Sequence, residues 1–124
     1  MEQEVLKKLR FKDGLATVLN APVGYDFGIG DGMDREYDFI LLFVHNGEEA
    51  DQWLPKVTPL LKDDAVFWIS YPKQSAKMKT DLNRDLLAAR VREQTPYRVV
   101  SNVAIDDKWS ALRFRHEDKV KTGK

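Results

Sequence analysis

The chain has 124 residues, 43% of them apolar and 32% charged, with 20 Lys/Arg balanced by 20 Asp/Glu and no cysteine. That is the length and composition of one globular domain around a single continuous core. Without cysteine there is no disulfide, thiolate nucleophile or cysteine-ligated zinc or iron–sulfur centre, and zero net charge argues against retention on nucleic acid by bulk electrostatics.

In the opening MEQEVLKKLR, Val5, Leu6 and Leu9 recur at a spacing compatible with one helical face, which predicts a short amphipathic helix over residues 2–10. The segment lacks the long apolar run of a signal peptide or membrane span, so a cytoplasmic protein without a membrane partner is expected. Residues 15–21 (LATVLNA) are short, apolar and β-branched, bounded by Gly14 and Pro22, and read as a buried strand. The Gly- and Asp-rich residues 23–36 read as loop. Residues 37–44 (YDFILLFV) are nearly all apolar, the pattern of a strand covered by helices on both sheet faces.

Asn46 is predicted to cap a helix whose first turn holds Glu48 and Glu49 near the positive end of the dipole. Trp53, Leu54, Val57, Leu60 and Leu61 give that helix its apolar stripe, which Pro55 and Pro59 split or kink. Lys62-Asp63-Asp64 is a predicted turn into a third buried strand, 65–71 (AVFWISY). Thr80 or Asp81 is predicted to cap a helix running to Glu93, with Leu82, Leu86 and Ala89 inward and Asp81, Arg84, Asp85 and Arg92 outward. Residues 97–105 and 109–115 read as strands of a hairpin around Asp106-Asp107-Lys108, a pair of carboxylates that turn chemistry explains. Trp53, Trp68 and Trp109 lie within apolar-periodic elements and read as packing rather than a stacking platform. Residues 117–124 read as a mobile charged tail on a single domain of residues 1–116.

This order of elements predicts an α/β fold: one three-layer, doubly wound domain whose five-stranded, mostly parallel sheet has the order 1-2-3-5-4 and ends in an antiparallel hairpin. The charge is unevenly spread. Residues 1–71 carry seven Lys/Arg against thirteen Asp/Glu, whereas residues 72–98 carry seven against three.

The segments YDFILLFVHNGEEADQWLPKVTPLLKDDAVFWISYPK, TDLNRD and VSNVAIDDKWSALRFR together resemble a family of small bacterial proteins known only as a domain of unknown function. The same succession of elements is similar to the C-terminal half of class I S-adenosylmethionine-dependent methyltransferases, and that resemblance implies a Rossmann-like fold without fixing an activity. Asp26-Phe27-Gly28-Ile29-Gly30-Asp31-Gly32 matches the D-x-G-x-G-x-G signature of those enzymes. The signature works when an apolar strand directly precedes the acid and a helix directly follows the glycines. Here Ala21-Pro22-Val23-Gly24 precedes it and only Met33 to Glu36 separates it from the next strand, so the match reads as a turn-rich loop.

Open α/β sheets bind ligands beyond the carboxyl ends of their parallel strands. Those ends carry Asn20, His45, Asn46 and Lys73, and the loop that follows, YPKQSAKMKTDLNRD, adds Ser75, Lys77 and Lys79 beside Thr80. The expected occupant is a small anion at the free amides of a helix start, or an acidic protein, weighed against lysines that are merely solvated. His45 and His116 are too few for a metal site, no G-x-S-x-G elbow exists for a serine nucleophile, and no cofactor is assigned. The expectation is therefore a non-enzymatic ligand-binding or interaction module, the alternative being a reduced methyltransferase-like enzyme that holds S-adenosylmethionine or a nucleotide.

Overall fold

The computed structural model describes residue 7, residue 9 and residues 14–73 and 80–119. Among these residues five strands and two full helices follow one another: β1 (Ala16–Leu19), β2 (Tyr37–Phe43), α1 (Gly47–Val57), β3 (Leu61–Pro72), α2 (Arg84–Gln94), β4 (Tyr97–Ala104) and β5 (Trp109–His116). The sheet order is β1-β2-β3-β5-β4, with β1, β2 and β3 parallel and the β4–β5 hairpin antiparallel at one edge. Order and strand directions are those the sequence predicts. The helix expected over residues 2–10 falls largely outside the described residues.

Alternation along β2 sorts the core into two layers. Ile40, Leu42 and Val44 meet Ala50, Leu54 and Val57 of α1 and Leu87 and Val91 of α2. Phe39, Leu41 and Phe43 turn the other way, toward Phe27, Trp68, Ile105, Trp109 and Leu9. Both faces of β2 are dry, as its apolar run requires, and among the described residues α1 and α2 supply the helical cover of one of them. Among the described residues the second face is roofed by the 20–36 loop and Leu9, whose carbonyl accepts a 2.8 Å hydrogen bond from the buried Trp68 Nε1. The glycine-rich loop can take this place because its backbone also closes the edge of β1. Gly30 O accepts from Val18 N at 2.9 Å, and the fully buried Thr17 hydroxyl lies 2.7 Å from Gly32 O and 3.2 Å from Gly30 O.

Local capping explains where the helices start. Asn46 accepts from Glu49 N at 2.9 Å, as predicted, and Pro55 lies within the last turn of α1, followed by a 3-10 turn at Thr58–Leu60. The cap of α2 is Asn83, whose Oδ1 accepts from Leu86 N at 2.9 Å, rather than Thr80 or Asp81. Thr80 Oγ1 instead accepts from Leu82 N, and Asp81 Oδ1 reaches across to Gly47 N at 2.8 Å, so each serves a neighbouring turn. This later start rotates the inward face of α2: Leu87 and Val91 are buried with Leu82, while Leu86 and Ala89, expected inside, are exposed. Of the residues expected outward, Arg84 and Asp85 form an exposed pair at 3.8 Å. The two helices are joined by Arg90, which donates to Asp51 Oδ2 at 2.6 Å and to Gly47 O at 3.3 Å. A Cβ at Gly47 would run into that guanidinium.

The predicted Lys62-Asp63-Asp64 turn is an irregularity inside β3. Pairing with β2 jumps from Tyr37–Leu61 to Phe39–Val66, and Asp64 takes a positive φ of 57°. Ion pairs pin the displaced segment: Asp64 receives Arg115 Nη2 at 2.8 and 3.0 Å, and Asp63 receives Lys119 at 3.3 Å. Residues Glu117–Lys119 form a 3-10 turn, with no buried residue, anchored by Glu117 N on Pro96 O. Residues 120–124 lie outside the described set.

Candidate functional site

At the carboxyl end of β1 the chain turns through Asn20 in the left-handed region, φ 59°, a conformation asparagine tolerates better than most residues. The turn sends Asn20 Nδ2 to Phe43 O at 2.8 Å and to Glu49 Oε1 at 3.2 Å. The same Glu49 oxygen accepts from His45 N at 2.8 Å and lies 3.0 Å from His45 Nδ1. One carboxylate on the first turn of α1 thus gathers the ends of β1 and β2. Burial pushes the Glu49 carboxyl up, but the His45 amide and ring together with Asn20 outweigh it and hold the group below its ordinary value.

A second cluster adjoins the first. The His45 ring stands edge-on to Trp109, 5.1 Å between centroids, and Trp109 meets Phe43 at 5.1 Å and Tyr25 at 6.5 Å. The Tyr25 hydroxyl donates to Asp106 Oδ2, while Asp106 Oδ1 accepts from Lys108 N at 2.8 Å and Trp109 N at 2.9 Å. Asp106 is raised by burial and lowered further by these three donors and by the nearby Lys73 charge, with a net shift downward. The hairpin acid is thus a turn residue, as predicted, with the added task of holding the loop through Tyr25.

Between the end of β1 and the 20–36 loop lies an open groove of about 340 Å³, lined by Asn20, Tyr25, Asp26, Phe27, Ile29 and Asp31. Its volume is at the lower end for a small-molecule site. Asp26 Oδ1 accepts from Gly28 N at 2.9 Å, a local turn bond, and β1 has already ended at Leu19. No helix follows the glycines before β2, so the two conditions the methyltransferase signature needs are unmet among the described residues.

Of the residues picked from the sequence, Asn20, His45 and Asn46 converge around Glu49. Lys73 stands apart at the β3 end, its amide on Lys108 O at 2.8 Å, and Thr80 serves the turn before α2. Ser75, Lys77 and Lys79 lie outside the described residues. Of the amides near Thr80 expected to hold an anion, Leu82 N is bonded to Thr80 Oγ1 and Leu86 N to Asn83 Oδ1; at the other helix start Gly47 N is taken by Asp81 and Glu49 N by Asn46. Sequence reasoning missed Glu49 as a site residue, although its i,i+4 spacing from His45 across a helix start is a readable signal. Tyr25 and Asp106 are 81 positions apart and carry none.

No cluster of metal-ligating side chains occurs among the described residues, and no described helix is long and apolar enough to cross a membrane. Fold and site together define a small mixed-sheet α/β protein of strand order β1-β2-β3-β5-β4 with a polar network at its parallel-strand ends. No family model matches the chain, nor does any curated protein, so neither comparison supports the resemblance to a small bacterial family. Among solved structures, the chain is similar to a fibrillarin/Nop5p complex at a TM-score of 0.45 and 9% identity, over 66% of this chain. It spans 41% of that matched chain.

Proposed function

We propose that this protein is a non-enzymatic module that captures a small ligand at the carboxyl ends of β1 and β2, in the groove beside Asn20, His45 and Glu49. The observation that carries this reading is the convergence of Asn20 and His45 on one carboxylate oxygen of Glu49, with Asn20 also lining a groove of about 340 Å³. His45 and Glu49 keep 43% and 33% of their side chains exposed, so the network is reachable from solvent. The groove wall carries Asp26 and Asp31, and two amides of the nearby helix start, Gly47 N and Glu49 N, are already bonded. Both points favour a ligand that donates hydrogen bonds, an amine or a set of hydroxyls, over the small anion suggested by the lysines.

Titration of the ¹⁵N-labelled protein with spermidine, ribose and inorganic phosphate tests it. Spermidine or ribose is expected to perturb the amides of Asn20, His45 and Glu49, Glu49→Gln to abolish the effect, and phosphate to leave these signals alone. A response to phosphate alone, or to none of the three, overturns the reading.

One observation favours a second reading, a reduced methyltransferase-like enzyme: the Asp26–Gly32 stretch that matches the cofactor signature forms one wall of the groove. Calorimetry with S-adenosylmethionine and S-adenosylhomocysteine separates the two. A module gives no heat at submillimolar concentration, whereas a stoichiometric isotherm moves the conclusion to the enzyme.

A further inference from the structure

At the opposite edge of the sheet, α2 and the edge strand β4 enclose a groove of about 740 Å³, lined by Asp85, Ala88, Ala89, Arg92 and Glu93 of α2 and by Val99 of β4. A second hollow of about 300 Å³ continues it over Val100, Ser101 and Asn102. Six large apolar side chains are exposed among the described residues, and three of them belong to these two elements: Leu86 of α2 and Val99 and Val100 of β4, at 49%, 42% and 39% exposure. That concentration on one edge is more than scattered surface apolarity, and it asks for an occupant.

The charges of α2 specify one. Arg84, Asp85, Ala88, Ala89, Arg92 and Glu93 recur on one helical face, with two alanines at the centre and one basic–acidic pair toward each end. When such a helix lies antiparallel against a second copy of itself, positions equidistant from the Ala88–Ala89 midpoint face each other. Arg84 then meets Glu93 of the other copy and Asp85 meets Arg92, each contact made twice by symmetry, and the small alanines let the helices approach. Parallel packing would instead set Arg84 on Arg84 and Glu93 on Glu93. We propose that this face is the seat of a second copy of this chain, docked about a two-fold axis through the Ala88–Ala89 midpoint, with Val99 and Val100 buried beside the helix pair. The register shift between Val99 and Ser101 breaks the regular ladder of β4, so helix and strand side chains make the contact and the sheets do not run on into one another.

Sedimentation velocity on the full chain, from micromolar to submillimolar, tests this. The parent protein is expected to be a dimer. Arg92→Glu sets a carboxylate opposite Asp85 at two symmetry-related points, and Asp85→Arg places two guanidinium groups together; each is expected to weaken association at least about tenfold. The double variant Asp85→Arg with Arg92→Glu restores both opposite-charge contacts and is expected to restore the dimer. It also puts a cation at the start of α2 and an anion at its end, against the helix dipole, so a recovered dimer cannot come from a more stable helix. Matching circular dichroism spectra and melting curves show that all three variants fold. A parent that stays monomeric across the range leaves the groove to another partner and overturns the proposal, as does a dimer indifferent to the single charge reversals, or a double variant weaker than both.

Discussion

The two faces of the sheet solve the same burial problem with different means. On the face of α1 and α2, regular helices supply closely spaced aliphatic side chains, and four of the eighteen buried core residues are aromatic. On the other face an irregular loop and Leu9 supply few side chains, and five of the ten are aromatic. Four of those five, Phe39, Phe43, Trp68 and Trp109, belong to the strands and Phe27 alone to the loop, so on this face the sheet itself supplies much of the bulk that helix side chains supply on the other. The loop face also leans on particular hydrogen bonds, Thr17 to the glycine carbonyls and Tyr25 to Asp106, where the helix face relies on internal backbone ladders. Among the described residues, a loop roof is as much core as a helical one when aromatic area in the sheet beneath it and polar anchors replace regularity.

The largest test of that equivalence replaces one large side chain on each face. Trp109→Ala, in the loop-face layer, is expected to cost about 3–5 kcal/mol, at least as much as the roughly 2–5 kcal/mol expected for Leu54→Ala under α1. Denaturant titration of both variants checks it, and a loss below about 1.5 kcal/mol for Trp109→Ala would mean that the loop is only draped over the sheet.

Next in size is Thr17→Val, which keeps the shape but leaves the Gly30 and Gly32 carbonyls without the buried hydroxyl. About 1–2 kcal/mol is expected, with faster amide exchange at Val18 than at strand interiors under the helices. Uniform acceleration across both faces would deny the loop its separate anchoring.

The polar rim between the faces should show in the pH dependence. Glu49 titrates below its ordinary value of 4.5 in the folded chain, so the unfolded state takes up its proton first as pH falls. Its contribution is therefore fully present above the unfolded value and is lost as pH drops through the folded one. Melting temperature is expected to fall on acidification below about pH 4.5, and Glu49→Gln is expected to flatten that fall at a cost on the order of 1 kcal/mol at neutral pH. An unchanged slope would show that other carboxylates, such as Asp51 beside Arg90 or Asp106 beside Tyr25, carry it.

The smallest effect belongs to Asp26. Its turn bond to Gly28 N is exposed, so Asp26→Ala is expected to change stability by no more than about 0.5 kcal/mol. A loss several times larger would make the signature-like stretch a structural keystone of the roof.

How much of this is readable in the sequence depends on which atoms carry the information. The five strands and their order follow from apolar runs and turn residues, which are side-chain signals, and the Asn46 cap follows from its type and place. The α2 cap does not, because Thr80, Asp81 and Asn83 are all competent, and only the reach of Asp81 to Gly47 decides among them. The loop roof is legible as loop but not as roof, because the sealing of β1 is done by glycine carbonyls, which have no signature in a sequence. Of the site, Asn20, His45 and Asn46 follow from where the apolar runs stop. Glu49 stands out in the sequence for its charge at a helix start, when its position four residues after His45 also makes it the hub.

The seating of Gly30 and Gly32 on β1 bears on how the protein fails under stress. Among the described residues, those carbonyls are what stands between the Ala16–Leu19 edge and another chain. A partial opening that lifts residues 20–36 bares an apolar strand edge and a layer of aromatic rings together, while the helices on the far side stay in place. Aggregation in storage should therefore start from this locally opened form, at temperatures well below the global melt, and its rate should follow the strength of the loop's anchors rather than total stability.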